Sequence, residues 1–281
     1  MPATTSDTTE LGAFYDMMTS TERILARLER DGVDLAHLRA SDVSERDLDC
    51  QNLGAFKVLT WIADTVARQW APTRDDTVLD VGCGIGGPGR FLVERFGCAV
   101  TGIDLLQARI HVAAELSRRT GLDERLTYRV ADVRSLPFDD ATFAQAWMLD
   151  VGIHVRDKAT MFGELARVLR PGGLLVMHDQ TAPLGPAMRP ITRRIPFVAP
   201  PLPRLIRIVE DAGMKVLEWH DTTATIAAYF REIQATIPPA DTELSANGRK
   251  RWAWVEQTTT AYLGSLDNAN GRTGLLIAVH R

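Results

Sequence analysis

Val78-Leu79-Asp80-Val81-Gly82-Cys83-Gly84-Ile85-Gly86-Gly87 is an apolar strand that runs through an acidic residue into a glycine-rich turn. Gly82, Gly84 and Gly86 lack the Cβ atoms that would keep a backbone from turning sharply and lying against a ligand. The helix expected next offers unpaired N–H groups at its start. A second apolar run, Ala99-Val100-Thr101-Gly102-Ile103, ends at Asp104, 18 residues after Gly86. A carboxylate there can accept hydrogen bonds from both hydroxyls of a ribose. The turn reads Gly-x-Gly-x-Gly, tighter than the Gly-x-Gly-x-x-Gly that makes room for a pyrophosphate, so a nucleoside ligand without phosphates fits it better.

From this turn outward, strand and helix patterns alternate. Strands are expected near Val78 to Val81, Ala99 to Asp104, Leu126 to Ala131, Phe143 to Met148, Leu174 to His178 and Met214 to Trp219, with a terminal one at Leu275 to His280. Such alternation predicts an α/β fold, a doubly wound, mostly parallel Rossmann-like sheet. Phe162, Leu165, Ala166 and Leu169 share one helical face, and Pro171-Gly172-Gly173 ends that helix. Upstream, Ile24, Leu25 and Leu28, then Val58, Leu59, Ile62 and Val66, recur at helical spacing around a polar stretch from Arg39 to Asp49. The expected organisation is an N-terminal helical lid over residues 1–75 and a catalytic domain over 76–281, with insertions at about 182–210 and 222–270. The first insertion is rich in proline from Pro183 to Pro203, which leaves little regular helix and suggests a shaped loop roofing the crevice. The second holds Tyr229, Phe230, Trp252, Trp254 and Tyr262 and reads as helical wall.

With 281 residues and 45% hydrophobic content, the chain can bury one substantial core with appended elements. A formal charge of −4 without a basic stripe argues against a nucleic-acid partner. Cys50, Cys83 and Cys98 show neither disulfide nor metal-ligand spacing, so no metal is expected and a reducing cytoplasm fits. No stretch approaches the 18 uninterrupted apolar residues of a membrane span. An apolar helix near the N-terminus could serve as a lid or as the contact of a homodimer.

These motifs resemble class I S-adenosylmethionine-dependent methyltransferases. The likeness runs through the Asp-x-Gly-x-Gly-x-Gly turn, Asp104, Ala131-Asp132-Val133 before Leu136-Pro137-Phe138, and Leu169-Arg170-Pro171-Gly172-Gly173. Gly86-Gly87-Pro88 and the segment from Trp147 to Lys158 look like the sterol and tocopherol-type small-molecule branch. The resemblance implies an antiparallel last strand and S-adenosylmethionine as cofactor. It also implies roles: Gly82, Gly84 and Gly86 against the cofactor, Asp80 holding the turn or meeting the ammonium group, and Asp104 on the ribose. Asp132 and Val133 would meet the adenine, Leu105 would pack on it, Met148 would line the site, and Tyr15 would close over it.

The methyl acceptor is expected to be small and hydrophobic, with its chemistry beyond the fourth strand, in Trp147-Met148-Leu149-Asp150-Val151-Gly152-Ile153-His154. Methyl transfer is an in-line displacement that depends on positioning, with a base where the acceptor must lose a proton. Asp150 and His154 are the candidates, and His178 with Asp179 forms a second acid–base pair. Tocopherol-like enzymes carry glutamate and histidine at these offsets, so Asp150 is a carboxylate shortened by one methylene. Carbon methylation would use Asp150 against a cation, helped by an aromatic such as Trp147. Nitrogen methylation needs a proton sink, and oxygen methylation could use His154. Arg189, Arg193, Arg194, Arg204 and Arg207 form a local basic excess that could hold an anionic acceptor or simply be a solvated face. A nicotinamide oxidoreductase and a silent cofactor-binding partner are the competing classes.

Overall fold

The structure is a computed structural model that describes residues 20–182, 197–238, 246–267 and 271–281. Its strands are β1 (Thr77–Val81), β2 (Ala99–Asp104), β3 (Leu126–Val130), β4 (Phe143–Leu149), β5 (Leu169–Gln180), β6 (Met214–Asp221) and β7 (Thr273–His280). They form one 7-stranded sheet in the order β3-β2-β1-β4-β5-β7-β6. The first five pair in parallel, and β7 runs antiparallel to both β5 and β6.

Helices between the strands are α4 (Gly87–Phe96), α5 (Gln107–Arg119) and α6 (Lys158–Val168), with α1 (Thr21–Arg30), α2 (Ala40–Ser44) and α3 (Ala55–Ala67) ahead of the sheet. After β5 come α7 (Leu202–Asp211), α8 (Thr223–Ala235) and α9 (Ala246–Asp267). The polar stretch from Arg39 to Asp49 thus contains a short helix of its own. Asp42, at its third position, accepts the Arg39 N–H at 3.0 Å and closes the first turn.

Side-chain alternation divides the core into two layers. Val78, Trp147, Leu149, Val176 and Ile277 face α3, α4, α8 and α9, whereas Leu79, Met148, Met177 and Leu276 face α6 and α7. A third cluster joins Ile24, Leu28 and Val43 of the N-terminal helices to Ile85 of the glycine turn and Leu116 of α5. The N-terminal helices therefore pack against the turn itself.

Of the proline-rich insertion, residue 182 and the part from residue 197 onward are described. There, helix begins earlier than expected, because Pro201 stands at the N-cap of α7 and Pro203 in its first turn, where no intrahelical N–H is lost. Among the described residues no helix is long and apolar enough to cross a membrane.

Candidate active site

A cavity of about 210 Å³ opens beyond the carboxyl ends of β1, β2 and β4, where open α/β sheets bind ligands. Asp80, Gly82, Cys83 and Gly84 form one wall. Asp104, Leu105, Asp132 and Val133 form the next, and Leu149, Asp150, Val151 and His154 form the side under β4.

The glycine turn has a specific reason for its composition. Gly84 has φ +55°, and a Cβ there would stand 2.4 Å from Arg109 Nη2. Its amide donates to Asp104 Oδ2 at 3.0 Å, while Asp104 Oδ1 accepts the Leu106 amide at 2.9 Å. Two backbone donors therefore orient the carboxylate on the cavity wall. Asp80 is buried, which pushes its carboxyl up to about 7, and Oδ2 has no hydrogen-bond partner among the described residues.

Across the cavity, Asp150 takes a backbone conformation that side chains other than glycine seldom adopt, with φ 58°. Its amide donates to the His178 carbonyl at 2.8 Å, and Oδ2 accepts the Leu53 amide at 2.7 Å. Asp150 Oδ1 is buried without a hydrogen-bond partner among the described residues. Behind it, Asp179 Oδ2 accepts the Ile153 amide at 3.1 Å, and Lys158 Nζ donates to the Gly152 and Val155 carbonyls at 2.6 Å each. These bonds hold the one-turn helix Gly152–His154 against the sheet. Burial and the neighbouring Asp150 charge raise Asp179 to about 7, and burial lowers Lys158 to about 8.

Most expected residues meet at this cavity, but several do not. Gly86 stands behind the wall as the N-cap of α4, where a Cβ would come within 2.4 Å of the Tyr128 hydroxyl. Met148 is fully buried in the α6-side layer, because alternation turns it away from the cavity and leaves that place to Leu149. Trp147 is likewise buried, its indole N–H given to Gln145 Oε1 at 2.8 Å, so it offers no face to an acceptor. His178 is buried behind Asp150 and does not reach the cavity wall. Asp132 reaches the cavity but is clasped by the Arg134 guanidinium at 2.6 Å. Tyr15, Arg189, Arg193 and Arg194 lie outside the described residues. Arg204 and Arg207 sit exposed on α7, which packs against β6 and α6.

Asp49, Gln51, Asn52, Arg109, Arg134 and Arg156 also line the cavity, none of them anticipated. Asp49 is pinned by a buried ion pair with Arg90 at 2.7 Å, and Gln51 meets Arg109. Their only sequence signal is the run Asp49-Cys50-Gln51-Asn52, polar residues between two helices. From the inserted segment, Phe197 sets its ring edge-to-face on His154 with centroids 5.0 Å apart, and the Val198 amide donates to the Ile153 carbonyl at 2.7 Å.

A family model described as a methyltransferase domain matches residues 78–173, the segment that carries the glycine turn, Asp104, Asp132 and Asp150. Methyltransferase GfsG of Streptomyces halstedii is 32% identical over 189 residues, an alignment covering 62% of this chain and 67% of that protein. The chain belongs to the S-adenosylmethionine-dependent methyltransferases. Within that family, the 2-methyl-6-phytyl-1,4-hydroquinone methyltransferase of Synechocystis is 39% identical over 125 residues, covering 42% of this chain. The chain spans only 38% of that relative's length. Geranyl diphosphate C-methyltransferase of Streptomyces coelicolor shares the fold of this methyltransferase over 100% of both chains, with a TM-score of 0.73 and 20% identity.

The cavity fits the family's cofactor on its own features. It offers a left-handed turn at Gly84, a carboxylate oriented by backbone donors at Asp104, and a buried carboxyl oxygen of Asp80 without a hydrogen-bond partner among the described residues.

Proposed function

We propose that this methyltransferase methylates a carbon atom of a small, largely apolar metabolite, with Asp150 as the charge that faces the reacting centre. S-adenosylmethionine supplies the electrophilic methyl group on a sulfonium. Gly82 and Gly84 would lie along its amino-acid part, Asp104 would accept the ribose hydroxyls, and Leu105, Asp132 and Val133 would surround the adenine.

The observation that carries the reading is Asp150 itself. Its Oδ2 is fixed by the Leu53 amide, while its buried Oδ1 has no hydrogen-bond partner among the described residues. A carboxylate held rigidly in a poorly hydrated place is worth more against a developing positive charge than one in water. An alkene or electron-rich ring that gains a methyl becomes a cation. Asp150 would stabilise that cation and then take a proton, from the methylated carbon of a ring or from the carbon next to the cation of an alkene, whose C–H electron pair restores the ring's aromaticity or the double bond. His154, at the cavity lip, could pass the proton on to solvent.

Nitrogen methylation is the second reading, because the same unpaired oxygen would hold an ammonium group. Residues 20–75 would serve as the cover, since Leu53 reaches across to Asp150.

The test is incubation with S-adenosylmethionine carrying a deuterated methyl group and a panel of terpenoids, indoles, phenols and amines, followed by mass spectrometry. A product labelled on carbon supports the first reading, and one labelled on nitrogen transfers it to the second. Asp150→Asn should then abolish turnover while cofactor affinity by calorimetry is retained. Cofactor binding without product across the whole panel would favour a silent binding partner.

A further inference from the structure

We infer that His178 is a positioning residue for Asp150. It would carry its proton on Nδ1 and direct it at the Asp150 carboxylate from behind the cavity wall. The inference rests on the reading of Asp150 as the charge that faces the acceptor, and gives that carboxylate a partner never exposed to substrate.

Three contacts carry it. His178 Nδ1 lies 3.5 Å from Asp150 Oδ2, and the imidazole is entirely buried. Its Nε2 lies 3.0 Å from Thr222 Oγ1, which in turn lies 3.0 Å from Thr273 Oγ1. The His178 carbonyl also accepts the Asp150 amide, so backbone and side chain of one residue address the same aspartate.

The polarity of this chain follows from counting protons. Nδ1 faces a carboxylate, which accepts but does not donate when ionised, so the proton belongs on Nδ1. Nε2 is then an acceptor, and the Thr222 hydroxyl donates to it. Having spent its proton, Thr222 accepts from Thr273. His178, Thr222 and Thr273 are buried, so no exposed water competes for the roles of the imidazole and the two hydroxyls. Nδ1 and Asp150 Oδ1 both lack a hydrogen-bond partner among the described residues. The gap from Nδ1 to Oδ2 is longer than a formed hydrogen bond, the state from which such contacts shorten when a ligand fills the site. Nearby buried groups are committed elsewhere: Lys158 to two loop carbonyls, and Asp179 to the Ile153 and Gln180 amides.

In this arrangement His178 does not touch the acceptor. It sets the side-chain angle of Asp150 and supports its negative charge, the service an orienting partner gives a catalytic group.

The first test needs no acceptor. The full-length protein, labelled with 15N in its histidine rings, is compared by NMR with His178→Asn for assignment and with Asp150→Asn. The expected result is an imidazole that carries a proton on Nδ1, with an Nδ1–H resonance that moves upfield in Asp150→Asn. Protonation on Nε2, or an Nδ1–H resonance indifferent to Asp150, overturns the proposal.

The second test uses the acceptor identified by the labelled panel. Asparagine at 178 can place an amide N–H where Nδ1 stands, whereas glutamine can place one near Nε2. His178→Asn should therefore keep kcat within about threefold, and His178→Gln should lower it about 10- to 100-fold with KM and cofactor affinity unchanged. Equal losses in the two variants, tracking their melting temperatures, would assign His178 to packing and overturn the proposal. Undiminished turnover in Asp150→Asn would instead overturn the reading of Asp150, whatever the NMR result.

Discussion

Replacing Asp49 by asparagine perturbs the segment that lies over the glycine turn. Asp49 Oδ2 is 2.7 Å from Arg90 Nη2, and neither side chain is exposed. Arg90 Nη1 donates to the Ala113 carbonyl at 3.3 Å and lies 3.4 Å from Ser117 Oγ, while Nε has no partner among the described residues. Asp49 is thus the carboxylate that compensates a cation taken wholly out of water. Asparagine preserves the volume and removes the charge, so the cost is that of a buried ion left without its partner, about 3–5 kcal/mol. For a chain of 281 residues the entropy of unfolding is about 0.6 kcal/mol/K near the midpoint, so Tm should fall by about 5–8 °C. Differential scanning calorimetry at neutral pH measures it. The double variant Asp49→Leu, Arg90→Met should recover most of the loss, because apolar side chains of similar size need no compensating charge. A fall of under about 2 °C for Asp49→Asn, or a double variant no more stable than the single one, would refute the claim that Asp49 compensates the buried Arg90 charge.

Three other perturbations address the cavity wall built by the glycine turn and β2. Gly84→Ala places a Cβ 2.4 Å from Arg109 at φ +55°, and should cost about 1–2 kcal/mol of stability and weaken S-adenosylmethionine binding at least about tenfold by calorimetry. Asp104→Ala removes the charged acceptor expected for the ribose, so affinity should fall about 10- to 100-fold, the worth of a charge-assisted hydrogen bond. Unchanged affinity would move the ribose elsewhere. Asp80→Asn tests the buried carboxyl raised to about 7. Below about pH 4 the folded and unfolded chains both hold its proton, and between about pH 4 and 7 only the folded chain does, so stability falls as pH rises through that window. With the pKa moved from 3.8 to about 7, the ceiling is about 4 kcal/mol. The ligand-free asparagine variant should therefore melt higher than wild type at pH 8, with the gap closing toward pH 4. A gap that does not vary with pH would show that Asp80 is ionised in the folded protein.

The parts of the fold legible in the sequence are those encoded by short-range patterns. Short apolar runs located the strands, and the spacing of Val58, Leu59, Ile62 and Val66 located α3. However, β5 starts at Leu169, five residues before the expected Leu174, so Leu169 pairs with Phe143 in the sheet and does not extend the helix. Gly82 and Gly84 announced a sharp turn, which lines the cavity, and Asp104 followed from its position at the end of the next strand. These features persist in any context because backbone geometry and side-chain period impose them locally.

The candidate site was only partly legible, because much of it is made by residues far apart in the chain. Leu53 and Asp150 are 97 positions apart, and Asp49 and Arg90 are 41 apart. No local period encodes either pairing. Strand parity put Met148 and Leu149 on opposite faces, but which face borders the cavity depends on where α3, α6 and the glycine turn pack. His178 and Asp150 carry the same side chains in the sequence as in the folded protein, yet only β5 beside β4 sets one behind the other. By itself, then, the sequence determined the sheet, the glycine turn and the residue types available for chemistry. Tertiary structure decided which carboxylates are buried, which atoms are left without partners and which histidine reaches the cavity, since burial and long-range contact exist only once the layers have closed.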